Sequence, residues 1–165
     1  MNHPDYNGVE NLSFGDREPF VISGPGEYEI KNIFIKGIPS ESKVGGPGSV
    51  NTIYTLNVDK MNICFLGALS SKTLPAESRE AIDNVDILFV PIGGVSGLSP
   101  ADAYGVAVSI EPKVIIPMDY EDDAPLKKFL KEGGAEKTEA LDKLTVKSKD
   151  IEGKEGEIIV LTPSL

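Results

Sequence analysis

Two short runs in this chain, Ile87-Leu88-Phe89-Val90 and Val114-Ile115-Ile116-Pro117-Met118, are apolar at every position. A strand with one face in water alternates apolar and polar side chains, so an unbroken apolar run marks a strand covered on both faces. Such strands belong in the middle of a layered structure, and the segments around them supply the layers. Residues 75–84 and Pro100–Ile110 are predicted as helices. The second has Ser99 as N-cap, Pro100 in the first helical position and Asp102 in the first turn, where its charge suits the helix dipole. Strands at 86–91 and 113–118 alternate with these helices, so the fold class is α/β.

The first half has the shorter period of hairpins. Strands are predicted at 20–23, at 28–38 with a break near Lys31-Asn32, at Val50–Val58, and at 61–66 after a turn at Asp59-Lys60. After the second apolar run a third helix, 125–132, stops at Gly133-Gly134, and short strands at 144–147 and 158–161 close the chain. The tail is predicted to turn as a hairpin around 153–156. No repeat and no linker divides these elements, so residues 1–165 are expected to form a single domain. A domain of that size buries about 70% of the surface its unfolded chain exposes.

Composition removes several classes of function. Charged residues at 25% and hydrophobic residues at 40% are ordinary globular usage, not that of a disordered chain. The net charge of −10 argues against nucleic acid and anionic membrane surfaces, since phosphate binding needs clustered Lys and Arg. Such a surface can attract a cation or a basic protein, but the plainer reading is a soluble cytoplasmic protein whose copies are kept apart by self-repulsion. The one cysteine, Cys64, lies inside Met61-Asn62-Ile63-Cys64-Phe65-Leu66, which excludes a disulfide framework and predicts a buried small hydrophobe, not a catalytic thiol. Residues 1–8 have no apolar core for a signal peptide, and no apolar run reaches membrane-spanning length, so the expected compartment is the cytoplasm.

Open α/β sheets place ligands beyond the carboxyl ends of their strands. Three loops occupy that place: Gly67-Ala68-Leu69-Ser70, Gly93-Gly94-Val95 and Asp119-Tyr120-Glu121.

The segments Gly24-Pro25-Gly26-Glu27-Tyr28-Glu29-Ile30, Asn51-Thr52-Ile53-Tyr54, Phe65-Leu66-Gly67, Pro91-Ile92-Gly93-Gly94 and Ile115-Ile116-Pro117-Met118 follow one another in an order that resembles a zinc-dependent hydrolase-like branch of the metallo-β-lactamase fold superfamily. The resemblance runs from about residue 2 to the end. It implies an αββα four-layer fold, two packed mixed sheets with helices outside, here lacking its first strands. It also implies a metal at one edge between the sheets, held by a His-x-His-x-Asp-His motif, a further His, an Asp after Leu-Gly and a last His after Ile-Pro-Met. Zinc takes such nitrogen and oxygen donors, and at its open position it lowers the pKa of bound water to about 7 for attack on a carbonyl or phosphorus.

Carried over by position, His3 resembles the second His of the motif and Asp5 its carboxylate, whereas Tyr6 stands where the motif's last His belongs. The loop Ile38-Pro39-Ser40-Glu41-Ser42 has no His, Ala68 replaces the bridging Asp, and Asp119 replaces the final His. His3 is the only histidine, so a multi-histidine zinc site cannot be assembled within one chain. His3, Asp5 and Asp119 remain as vestigial metal positions, a set that suits Mg²⁺ or Mn²⁺ as well as zinc.

Other constellations have plainer readings. Glu121-Asp122-Asp123 is a solvated turn with a helix cap in it, and Gly24-Pro25-Gly26 and Gly93-Gly94 are tight turns with no Walker-type Lys-Ser/Thr after them. Gly94-Val95-Ser96-Gly97 lacks the glycine spacing of a nucleophile elbow.

The expectation is a degenerate member of the superfamily, a structural or binding module with no cofactor. The alternative is a metal-dependent hydrolase whose missing ligands come from a partner chain or an upstream segment. A reading frame that begins too late would restore only the first His, leaving residues 6, 68 and 119 unchanged. Missing opening strands would uncover one sheet, and a second copy of the chain is the simplest cover, so a homodimer is expected. A monomer with residues 2–14 folded over the gap is the competing arrangement.

Overall fold

The computed structural model describes residues 19–43, 46, 49–93 and 97–162. The chain enters a large sheet through two hairpins. Strands β1 (Gly26–Ile30) and β2 (Ile33–Glu41) are joined by Lys31 and Asn32. Strands β3 (Val50–Val58) and β4 (Met61–Phe65) are joined by Asp59 and Lys60. All four turn residues have φ between 49° and 65°, the left-handed pair whose twist matches that of the flanking strands.

From β4 the connections change. Helix α1 (Ala76–Ala81) leads to β5 (Ile87–Pro91), α2 (Pro100–Ile110) leads to β6 (Val114–Met118), and each new strand pairs parallel with the one before it. Helix α3 (Asp123–Glu132) follows, then β7 (Ala140–Leu141), a 3₁₀ turn at Ser148–Asp150, β8 (Glu157–Ile158) and β9 (Val160–Leu161). The large sheet has the order β1-β2-β3-β4-β5-β6-β8, and β7 with β9 forms a separate two-stranded sheet. The fold is α/β, with one large mixed sheet and, among the described residues, a second sheet of two short strands.

The pleat sends alternate residues of β5 and β6 into two different cores. Leu88, Val90 and Ile115 join Ile38, Ile53 and Cys64 in a cluster that also takes Val106 and Ala107 of α2 and Phe129 of α3. Ile87, Val114 and Ile116 face the other way and pack with Met61 and Ile151, with Leu144, Val146 and Leu161 of the C-terminal segment against them. This second core lies under β4 to β6. Both apolar runs are therefore covered on both faces, as their composition requires.

Helix α2 begins as its capping chemistry dictates, with Ser99 Oγ accepting from the Asp102 amide at 3.1 Å. Helix α3 starts two residues earlier than its apolar pattern suggests, because Asp122 caps it, its carboxylate accepting from the Ala124 amide at 2.8 Å. Three expectations are corrected. Residues 20–23 form no strand, and Phe20 and Val21 are exposed. The expected strand at 144–147 is absent; its apolar side chains, Leu144 and Val146, pack as irregular chain against the second core, and β7 lies upstream of it. The tail is not a hairpin, since β8 pairs parallel with β6 and β9 parallel with β7, so a single apolar stretch is split between two sheets. Among the described residues no helix is long and apolar enough to cross a membrane.

Candidate functional site

The loops after β4 and β6 converge at one edge of the sheet. Leu66 donates its amide to the Phe89 carbonyl at 3.0 Å and Ile92 to the Met118 carbonyl at 3.0 Å, so each strand end is stitched to its neighbour just where the loop departs. A Cβ on Gly93 would lie 3.3 Å from Pro125 and 3.7 Å from the Asp119 carbonyl, which brings the third loop alongside.

The loop after β4 is held by one buried amide. Asn51, on β3 opposite Ser40 of β2, donates from Nδ2 to Ser40 Oγ and to the Leu66 carbonyl, both at 2.8 Å. Its Oδ1 accepts from the Ala68 amide at 2.9 Å. Ser42 Oγ donates to the Ala68 carbonyl at 3.1 Å, and Ser70 Oγ accepts from the Lys43 amide at 2.9 Å. Gly67 has φ 61°, and a Cβ there would meet Asn51 Oδ1 at 2.5 Å, so the close approach of amide and loop requires glycine. Ala68 is thus fixed by both of its peptide groups and presents a methyl group where the resemblance implies a bridging carboxylate.

Asp119 follows β6 in the left-handed region, φ 58°, which Asp tolerates better than most residues, and one of its carboxylate oxygens is buried. Gly67 and Asp119 line the same groove, an opening of about 550 Å³ on the face of β2 to β4 that the helices do not cover. Its walls are Ile22, Ile35, Leu56, Phe65 and Met118, with Tyr54 and Thr52 between them. Phe65 stacks on Phe89 with ring centroids 4.3 Å apart, continuing the wall toward the second core. Burial raises the Tyr54 phenol above its ordinary pKa, with the nearby Tyr28 adding to the shift and hydrogen bonds to Thr52 and Gly24 opposing it, so it remains a donor, toward the Ile22 carbonyl at 3.3 Å. On the other side of the loop cluster a polar cleft of about 580 Å³ is lined by Ser42, Lys43, Ser70, Ser71 and Lys72, among others.

Of the metal positions inferred from sequence, His3 and Asp5 lie outside the described residues, as does Tyr6. Asp119 stands at the groove with Gly67, and the amide of the next residue, Ala68, donates to Asn51. Among the described residues no three His, Cys, Asp or Glu side chains gather as a metal site would need. No chemical step through a metal follows from these residues. Sequence reasoning missed Asn51, although its signal is present: it sits two residues from Ile53 on an alternating strand, so an amide occupies a position that its neighbours mark as core.

Comparison with known proteins agrees with this geometry. Residues 1–119 match the family described as the beta-lactamase superfamily domain. The chain belongs to that superfamily. Among solved structures it is similar to a Thermotoga maritima protein classed as a Zn-dependent hydrolase of the metallo-beta-lactamase superfamily, with 28% identity and a TM-score of 0.67 over 86% of this chain and 71% of that one. It shares the fold of Igni18, a metallo hydrolase from Ignicoccus hospitalis, at 16% identity and a TM-score of 0.56 over 88% of this chain and 58% of that one. It also shares the fold of YhfI from Bacillus subtilis, at 11% identity and a TM-score of 0.55 over 99% and 62% of the two chains. The chain therefore spans less than two thirds of the length of the last two. No curated protein matches by sequence.

Proposed function

We propose that this chain has kept the superfamily's scaffold without its zinc hydrolase chemistry and acts as a binding or structural module. The observation that carries the reading is the state of the loop after β4. A catalytic zinc needs three protein ligands and an open position for water. The slot that resembles the bridging carboxylate holds Ala68, whose amide is taken by Asn51 Oδ1 and whose carbonyl is taken by Ser42 Oγ. That arrangement is a closed hydrogen-bonded corner, built from an amide and hydroxyls, in a place where a metal site would aim a carboxylate. His3 is the sole imidazole in the chain.

Elemental analysis of the full chain, purified without chelator, tests the reading. The expected result is no stoichiometric zinc, and about one tightly held zinc per chain would overturn it.

A further inference from the structure

We propose that a cleft on the helix side of the large sheet, centred on Phe34, binds the ring of a neutral sugar. The register sets Phe34 of β2 opposite Asn57 of β3, and Asn57 opposite Asn62 of β4. Two residues along, Lys36, Thr55 and Cys64 form the next row, and Cys64 belongs to the core under the helices, so both rows leave the sheet on that face. Helix α1 ends at Ala81, the turn from Asp83 to Val85 walls one side, and an opening of about 450 Å³ remains over the strands. That volume lies within the range of small-molecule sites, roughly 300–1,000 Å³. Every lining residue falls in 27–36, 55–64 or 81–85, stretches that are continuous among the described residues. The cleft lies beside the start of β4, whereas Gly67 and the loop with Ala68 follow its end.

Two features of the lining point to the occupant. Phe34 is 60% exposed, an aromatic ring presented to water inside a concavity. Beside it three amides are tied into one directed row: Asn57 Nδ2 donates to Asn62 Oδ1 at 2.7 Å, Asn62 Nδ2 to the Asn84 carbonyl at 3.1 Å, and Asn84 Nδ2 to Asp83 Oδ2 at 2.6 Å. An amide side chain can donate two hydrogen bonds and accept two, more than these contacts use, so the row offers donors and acceptors at fixed positions. A pyranose has the matching surface, a face of C–H bonds to lie on the ring and a rim of hydroxyls that both donate and accept. Amides already held in place lose little freedom when such a ligand arrives. Charge disfavours an anion: Lys36 faces Glu27 across the β1–β2 pair and Asp83 stands on the wall, so two carboxylates accompany the one ammonium of the lining. Among the described residues no group of His, Cys, Asp or Glu gathers there to hold a metal ion.

The test titrates the full chain with the methyl glycosides of glucose, galactose, mannose and N-acetylglucosamine, and with glycerol, which has hydroxyls but no ring. Amide NMR shifts locate binding and calorimetry measures it. At least one glycoside is expected to shift the amides of Phe34, Asn57 and Asn62 with a Kd on the order of 1 mM, and glycerol is expected to leave them in place. Phe34→Ala should weaken that glycoside about ten-fold and Phe34→Tyr, which keeps a ring face, should retain it. No response to any of the four glycosides, shifts confined to other parts of the chain, an equal response to glycerol, or an unchanged affinity in Phe34→Ala overturns the proposal. Zinc content enters none of these outcomes, so the loss of the metal centre stands or falls separately.

Discussion

The two faces of the central strands are equally apolar in sequence and unequally covered in the structure. On the helix side, Ile53, Cys64, Leu88 and Val90 are fully buried, closed over by α2 and α3, with Tyr104 set edge-on to Phe129 at 5.7 Å. On the opposite side the C-terminal segment packs under β4 to β6, and among the described residues the face of β2 to β4 opens as the groove. The difference separates a packed face from an open one among the described residues. Where α2 and α3 lie on the sheet the face is a packed core, and the face under β2 to β4 carries an open groove among the described residues.

The largest expected effect breaks the comparison directly if it fails. Leu88→Ala removes a side chain that is 0% exposed from a core unable to collapse around it, and about 3–4 kcal/mol of stability should be lost. Leu56→Ala, in the wall of the groove, removes a half-buried side chain beside open space and should cost about 1 kcal/mol. Chemical denaturation midpoints at a common m-value measure both. Equal losses would mean that the groove face is packed as tightly as the helix face.

Much of this contrast was legible in the residues. Strand β3 and helix α2 have the predicted bounds because the evidence for each is local: alternation between turn residues for one, and an N-cap with Pro and Asp behind it for the other. The two-faced burial of β5 and β6 followed from composition alone. What was not legible depends on partners distant in the chain. Nothing near Ile158 says that it pairs with Ile115 while Val160 pairs with Ala140, because parallel neighbours are chosen by long-range packing. The strand expected at 20–23 did not form: its apolar residues are a local signal, but Phe20 and Val21 stay exposed and residues 20–23 pair with no strand among the described residues. At the site, the replacements at Ala68 and Asp119 were readable as residue types. The Asn51 clamp was not, because it needs β2, β3 and the loop after β4 assembled at once.

A second pair of substitutions sharpens the comparison at the boundary between the faces. Asn51→Ala strips partners from the Ala68 amide and the Leu66 carbonyl in a buried place, and the expected loss is about 2–3 kcal/mol, measured by the same denaturation. Gly67→Ala keeps those partners but forces a Cβ to within 2.5 Å of Asn51 Oδ1 at a φ of 61°, and should cost about 1–2 kcal/mol. If Asn51→Ala cost less than Gly67→Ala, the loop would be held by its backbone conformation and not by the amide. The picture of a hydrogen-bonded corner in place of a metal site would then fail.

The smallest effect is a pH dependence confined to the sealed face. Burial pushes the Cys64 thiol up from its ordinary value of 9.0 to about 12, because no charge or donor offsets the loss of water around a thiolate. Below pH 9 the thiol is neutral in both folded and unfolded chains, so its contribution to stability there does not change. Above pH 9 the unfolded chain releases the proton while the folded chain keeps it, so stability falls with rising pH until the folded thiol also ionises near pH 12. Between pH 8 and pH 10 this should amount to about 1 kcal/mol, visible as the part of the pH slope that Cys64→Ala removes. The same burial predicts that a thiol reagent at pH 8 modifies Cys64 only at the rate of unfolding. Modification of native protein as fast as that of a free thiol would show that the helix-covered face opens as readily as the groove, and the distinction between the two faces would be lost.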